Sequence, residues 1–482
     1  MENLKTVLEH NMLNVIIEKE IREIIGSLKF AITFGACAVL IILSFYMGAK
    51  NYEISRTQYE AAKTENLRQL EGLTDWFDIE QHRIFLQPKP LASLVTGVSN
   101  DIGRTIEVTG RGELTANDSR FNDDLIYAVF RFLDLDFIFG FILSLFAILL
   151  GYNSISGEKE QGTLRLTFAG AVPRYKFILG KLIGSIVALV LPLLIAISLG
   201  YLLLIILGIP MGTEDWLRLS LIIVTGLLYA GVFLTLSVFI SSLTRRSSHT
   251  FLLLLVVWIF GILIVPRASV LLAGRAVDVP SVDEISSQKN RYSSQLWQED
   301  KTKMTGFKPD NSDDPEKMVE EFNRFMEKLA DDREQKMMEF SSRLNEDRFN
   351  RQTKQQNLVF TLARISPATS MKLAATSLAG TSLDLKNHYQ EEAMAYQQAY
   401  GKFIKEKTGI NTGGRMIMVK MTMDDGEQPD PINPYDLPKF DYKPIPLSES
   451  VESSIIDMGI LILYNLMFFA GAILAFGRYD VR

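Results

Sequence analysis

Long apolar runs alternate with long charged segments along this sequence, and that alternation limits what the chain can fold into. Six of the apolar runs hold about 20 residues or more, whereas most of the acids and bases lie between them. An α-helix rises about 1.5 Å per residue, so a run of this length matches the hydrocarbon core of a bilayer. The sequence therefore predicts an α-helical polytopic membrane protein with six transmembrane helices.

The ends of the apolar runs divide the chain into predicted segments. In chain order they are an N-terminal amphipathic helix (1–27), span one (28–48), a small mixed α/β insertion (49–127), span two (128–152), a charged loop (153–178), span three (179–207), span four (217–243), span five (251–272), a larger, mostly helical insertion (273–453), span six (454–476) and a tail (477–482).

Local patterns predict some elements of the insertions. Short strands are expected at Arg83–Leu86, Thr105–Gly110 and Arg415–Met423, and a charged helix is expected to continue beyond span one. Within a long predicted helix, four apolar residues recur at heptad spacing and predict that it pairs with another helix. These residues are Met318, Phe322, Phe325 and Leu329.

The short segments that are rich in Lys and Arg all fall on one face of a six-span protein. They precede span one, lie between spans two and three and between four and five, and follow span six. Basic residues of short loops mark the cytoplasmic side. The pattern predicts a multi-pass protein of the cytoplasmic membrane, with both termini cytoplasmic and both insertions extracytoplasmic. The formal net charge of −6 argues against a nucleic-acid partner.

The sequence carries no motif that predicts catalysis. It contains no GxxxxGK[ST] phosphate-binding loop, no HExxH and no cluster of Cys and His with metal-ligand spacing. The single cysteine, Cys37, cannot form an intramolecular disulfide. The prediction is a chain without its own nucleotide, metal or cofactor site.

Four polar residues lie in or beside the spans, namely Asp134, Asp136, Asp457 and Asn465. One interpretation is that they line a substrate path, since polar groups inside a membrane are costly and often functional. The alternative is that the acids lie at headgroup level and cap helices. The second interpretation is favoured because the three aspartates are close to span ends.

The charged loop carries the most specific pattern. It reads SGEKEQGTLRLTFAGAVPRYKFILGK over Ser156–Lys181. It resembles the first cytoplasmic loop of ABC-2 type transporter permeases, which are membrane subunits of bacterial ABC exporters. Their loop reads S-x-E-[KR]-E-x-G-T-L, then a Pro-containing turn with a basic residue, then G-K-L. The matching positions are Ser156, Glu158, Lys159, Glu160, Gly162, Thr163, Leu164, Pro173, Arg174, Gly180, Lys181 and Leu182.

This resemblance implies that the loop docks on a separate ATPase subunit, with 1–27 as an elbow helix resting on the same subunit. Glu158 and Glu160 are then expected to be available to basic residues of that partner. A hairpin that is merely solvated is the alternative. The implied coupling residues are Glu158, Lys159, Glu160, Gly162, Thr163, Arg165, Pro173 and Arg174.

The resemblance also implies partners. They are two copies of an ABC ATPase that binds ATP and Mg, a second permease protomer (the same chain or a different one), the lipid bilayer and an extracytoplasmic protein. Pro88–Arg104 and Ile365–Leu383 resemble a subgroup with large outer domains. The implied function is export. The alternatives are a mechanotransmitter that acts on an outer partner without moving a solute, and a membrane-anchored receptor or scaffold.

Overall fold

The computed structural model describes residues 2–76, 79, 82–99, 102–108, 114–117, 134–169, 172–308, 315–408 and 431–479. Within these ranges six helices are long and apolar enough to cross a membrane, which confirms the predicted fold class. They are α2 (Leu28–Arg68), α4 (Leu135–Gln161), α6 (Arg174–Ile206), α7 (Thr213–Leu243), α8 (Ser247–Ala276) and α13 (Leu447–Gly477).

The remaining helices lie at the two ends of this bundle. They are α1 (Glu2–Ile25), α3 (Pro90–Leu94), α5 (Thr163–Ala169), α9 (Val282–Thr305), α10 (Pro315–Ala363), α11 (Pro367–Ala379) and α12 (Asp384–Thr408). Three short strands form one antiparallel sheet in the order β1-β2-β3. They are β1 (His82–Phe85), β2 (Thr105–Val108) and β3 (Thr115–Asn117), of which β1 and β2 overlap the first two predicted strands.

The helices extend beyond the predicted spans. A helix satisfies its own backbone hydrogen bonds, so it need not stop where the hydrocarbon stops. Thus α2 begins after Ser27, whose hydroxyl caps it by accepting a hydrogen bond from Phe30 N, and continues to Arg68. The strand predicted at Arg415–Met423, the start of span two at 128–133 and the last residues of the tail, 480–482, lie outside the described residues.

Helix α7 is the most enclosed of the six. Its Tyr229 is fully buried and donates a hydrogen bond to Gly140 O at 2.8 Å. Gly140 lies in a π-helical turn, Ile138–Leu143, of α4. A π-turn leaves carbonyls without their regular helical donors, and the Tyr229 hydroxyl supplies one here. We call the end of the bundle at which α1 and the last turn of α13 lie the terminal end, and the opposite end the insertion end.

The two insertions share one hydrophobic core at the insertion end. Ile84 and Ile106 of the sheet pack in the same cluster as Tyr389 and Tyr396 of α12. The stretches around Pro88–Arg104 and Ile365–Leu383 also contact each other. Val98 N donates to Thr381 O at 2.9 Å, and the Thr381 hydroxyl donates to Val95 O at 3.0 Å. We call the unit formed by the sheet and α12 the insertion-end domain.

A helical stalk extends from α8. Helices α9 and α10 pair through stacked Tyr292 and Phe340 rings, 4.2 Å apart, and an ion pair of 2.6 Å between Arg333 and Asp300. On the apolar seam predicted on α10, the Phe325 ring lies 4.7 Å from that of Phe307, two residues beyond the end of α9. Leu329 is buried, whereas Met318 and Phe322 are 39% and 41% exposed, so the seam is only partly covered within this insertion.

Candidate functional site

The charged loop folds as a hairpin of two short helices at the terminal end. The last turns of α4, Ser156–Gln161, are followed by α5, and Gly162 joins them. Gly162 has φ +74°, a left-handed conformation that favours glycine, and a Cβ placed there would meet no atom within 4 Å. In this chain Gly162 is therefore needed for its backbone conformation. We call Ser156–Ala169 the coupling hairpin.

Hydrogen bonds attach the coupling hairpin to the end of α7. The Ser241 hydroxyl oxygen accepts from the backbone N–H groups of Ile155, at 3.0 Å, and Ser156, at 2.8 Å. Lys159 Nζ donates to Thr244 O at 3.0 Å and lies 4.4 Å from the centre of the Tyr479 ring. These contacts satisfy the first amides of the hairpin helix, so the hairpin is positioned by the bundle.

A buried ionic cluster attaches the hairpin to two further helices. Lys181 Nζ of α6 lies 2.7 Å from Glu20 Oε2 of α1 and 2.8 Å from Glu158 Oε1 of the hairpin. Lys19 Nζ approaches the same Glu158 oxygen at 3.1 Å, although 54% of the Lys19 side chain is exposed. Burial raises the pKa of the Glu20 carboxyl, and the Lys181 ammonium opposes that shift. We call Glu20, Glu158 and Lys181 the buried cluster.

Two glycines of α6 allow α1 to lie close enough for this cluster to form. A Cβ on Gly180 would come within 2.7 Å of Ile16 Cγ2, and one on Gly184 within 2.7 Å of Glu20 Cβ. Residues four apart lie on the same helix face, so together they form a groove for α1. The G-K-L pattern thus has a local reason, because its glycine admits α1 and its lysine pairs with Glu20 and Glu158.

The expectation that Glu158 and Glu160 are available to a partner needs correction for Glu158. Its side chain is 7% exposed and its carboxylate is engaged by Lys19 and Lys181. Glu160 is exposed, and its Oε2 accepts a hydrogen bond of 3.1 Å from Ser247 N, the first residue of α8. Both acids therefore have roles within the chain. The local pattern of charges could not predict the pairing of Glu158, because Lys19 lies 139 positions away from it in the sequence.

The exposed face of the hairpin lies on α5. Leu166 is 76% exposed, and Arg165 beside it is exposed as well. Thr163 faces inward, with its hydroxyl donating to Glu158 O at 3.4 Å. Pro173 precedes the first residue of α6, and the Arg174 guanidinium donates to Gly477 O at the end of α13. Leu166 and Arg165 therefore lie at the surface of the hairpin, where they are accessible to a partner.

A comparison with protein families agrees with this arrangement. The family model described as ABC-2 family transporter protein matches residues 14–481, which is nearly the whole chain. The chain belongs to this family. A curated relative, the probable ABC transporter permease protein NosY of Stutzerimonas stutzeri, is 31% identical over 126 residues. That match covers 26% of this ABC-2 chain and 45% of the relative, so the chain spans about half of the relative's length.

The four polar residues of the ABC-2 spans all have partners within the chain. Asp134 caps α4 by accepting a hydrogen bond of 2.9 Å from Phe137 N, and Asp136 pairs with Lys372 of α11 at 3.3 Å. The Asp134 contact agrees with the capping interpretation. Neither contact tests whether a substrate passes nearby, and the substrate path stays a prediction.

Asp457 and Asn465 connect α13 to its neighbours. Both Asp457 oxygens accept from Arg364, at 2.7 and 2.9 Å, which is the paired arrangement that a buried carboxylate requires. Asn465 Nδ2 donates to Leu228 O of α7 at 3.0 Å and to Leu461 O at 2.9 Å. These contacts stabilise the packing of α13 against α7 and the segment before α11.

Proposed function

We propose that this chain is the permease subunit of an exporter in which a separate ATPase subunit drives a substrate across the membrane. The observation that carries the proposal is the way in which the coupling hairpin is attached to the rest of the bundle. Buried polar contacts attach it to α1, α6 and α7, while Leu166 and Arg165 of α5 face outward. A partner that pushes on this face therefore acts on three helices at once.

The proposed mechanism needs two protomers and two ATPase subunits. ATP and Mg bind to the ATPase pair, whose closure displaces the two coupling hairpins. Because each hairpin is joined to α6 through the Glu158–Lys181 pair, its displacement carries α6 and changes the packing of the spans. The substrate passes between the two permeases. The terminal end faces the cytoplasm in this proposal, since the basic short segments lie there.

Leu166→Glu is expected to weaken the binding of the ATPase by about 10- to 100-fold. Burying a leucine side chain in an interface is worth about 1.5–3 kcal/mol, and each 1.4 kcal/mol corresponds to about a factor of ten. The measurement is a binding titration of purified ATPase with this chain in lipid nanodiscs.

Leu166→Met is the matched control, since it keeps an apolar side chain of similar volume and is expected to bind normally. Because Leu166 is exposed, neither change should alter the fold of this chain. Normal ATPase binding by Leu166→Glu would contradict the docking of this face.

The stalk favours a second candidate function, in which the complex transmits force to a partner at the insertion end. Helix α10 has 49 residues and is therefore about 70 Å long. It is fastened to the end of α8, where Gln355 donates to Val277 O at 3.0 Å. A shift of α8 would move the stalk. Stimulation of ATPase activity by an insertion-end partner, and by no solute, would favour this function over export.

A further inference from the structure

A small cleft that is open to solvent lies at the insertion end, outside the coupling site. It lies between α2, the chain around α3 and the start of α12. Its lining is rich in cationic and hydroxyl groups, which are Ser55, Lys89, Ser93, Ser99, Arg104 and Tyr442. No step of the proposed export mechanism uses this cleft.

Lys89 is the most unusual group in the cleft. Its ammonium lies 5.5 Å from the centre of the Tyr442 ring, and it forms no ion pair with any carboxylate of the described residues. The two acids whose charge reaches it are engaged elsewhere. Glu214 pairs with Arg218 at 2.7 Å, and Asp215 accepts from Gly212 N at 2.9 Å.

Burial lowers the pKa of Lys89 to about 8, because the charged ammonium is less stable away from water. A half-buried cation without a counter-charge is costly unless a ligand supplies that charge. Arg104 also lines the cleft, and its Nε donates to Ser99 O at 3.3 Å. Lysine, arginine and serine hydroxyls together are the groups that proteins use to bind phosphate oxygens.

The distance of the cleft from the bilayer can be read from α2, because Ser55 of this helix lines it. A hydrocarbon core of about 30 Å holds about 20 helical residues, so a span that begins at Leu28 leaves the core near Gly48. Ser55 is seven residues further along the same helix, or about 10 Å beyond the core. Lipid headgroups extend about 5–8 Å from that boundary, so Ser55 lies just beyond the outer edge of the headgroup layer.

We propose that this cleft binds a phosphate-bearing anion, with Lys89 and Arg104 as its cationic contacts. A lipid headgroup and a free phosphate share this chemistry. The proposal does not depend on export, because it concerns a ligand site at the end of the molecule away from the coupling hairpin.

The test uses the full chain in nanodiscs of zwitterionic lipid. Two probes are titrated by calorimetry, dihexanoyl phosphatidylglycerol below its micelle concentration and inorganic phosphate. Lys89→Gln is expected to weaken binding about tenfold or more, because it removes a charged hydrogen-bond donor. Lys89→Arg keeps the charge and is expected to bind. Lys386→Gln, at an exposed lysine of α12, is expected to leave binding unchanged.

Lipid binding without phosphate binding would assign the site to headgroups, whereas binding of both probes would assign it to phosphate groups in general. The absence of saturable binding of either probe, or equal binding by wild type and Lys89→Gln, would overturn the proposal. A second measurement needs no variant. Acetylation of Lys89 in the unmodified protein is expected to slow at saturating probe while that of Lys386 does not, and an unchanged Lys89 rate would also overturn it.

Discussion

Lys181→Met is expected to destabilise the terminal end of the bundle by about 3–5 kcal/mol, which is the range for removing one partner of a buried ion pair. Methionine matches the length and volume of the lysine stem but leaves the Glu20 and Glu158 carboxylates together without their shared cation. Their side chains are 5% and 7% exposed, so water cannot replace the ammonium. Hydrogen exchange of the α1 amides should accelerate by about 100-fold or more.

Two controls separate charge from packing. Adding Glu20→Gln and Glu158→Gln to Lys181→Met makes the buried cluster neutral, and it is expected to recover most of the lost stability. Lys19→Met removes the half-exposed partner of Glu158 and is expected to cost about 1 kcal/mol or less. Wild-type exchange rates in Lys181→Met alone would show that the cluster does not hold α1 against α6.

The same variant bears on coupling. Glu158 lies in the first turn of the hairpin, and Lys181 is its buried connection to α6. If ATPase binding survives in Lys181→Met while transport falls, the cluster transmits the movement of the hairpin. The exposed Leu166 face and the buried cluster therefore address two different steps, binding of the ATPase and transfer of its motion.

The spans could be predicted from the sequence because hydropathy depends on neighbouring residues only. An apolar run such as 28–48 can be assigned to a bilayer without knowing which helices pack against it. The coupling hairpin was located by its ordered motif, again a local signal. What the motif could not show was the direction in which each side chain points. Glu158 points inward to Lys181 and Leu166 points outward, although only eight positions separate Glu158 from Leu166.

The buried cluster and the joining of the insertions depend on contacts between distant parts of the chain. The sheet and α12 lie about 300 positions apart, as the pair His82 and Tyr396 shows with a separation of 314. One local signal was present. The buried residues of α12 recur three or four apart, at Leu385, Tyr389, Ala393, Tyr396, Tyr400 and Ile404. This spacing predicts a buried helix face, but it does not say that a sheet from the first insertion covers it.

Lowering the pH from 7 to 4 is expected to destabilise the insertion-end domain by about 3 kcal/mol through His82. Burial lowers the pKa of this imidazole from 6.5 to about 4. The folded domain therefore resists protonation, whereas the unfolded chain accepts a proton below pH 6.5. Stability is fully present above pH 6.5 and is lost as the pH falls towards 4, at about 1.4 kcal/mol per pKa unit.

The hydrogen bonds around His82 explain why it stays neutral. The Tyr396 hydroxyl donates to Pro438 O at 2.9 Å, so it must accept from His82 Nε2, which lies 2.7 Å away. The other ring nitrogen, Nδ1, then carries no proton and has no partner among the described residues. A second proton would place a charged N–H group in a site lined by the Tyr396 and Tyr400 rings without an acceptor.

Trp76 offers a local reporter for this loss, because its ring packs 4.9 Å from Phe403 of α12. With the other three tryptophans changed to phenylalanine, Trp76 fluorescence follows denaturant unfolding of the domain at each pH. His82→Phe keeps a planar ring against Tyr400 but cannot take up the proton. It is expected to cost about 1 kcal/mol at pH 7, from the lost hydrogen bond, and to flatten the pH dependence between 6.5 and 4. An equally steep dependence in His82→Phe and in the protein with His82 intact would assign the acid sensitivity to other groups, since only the latter can protonate this position.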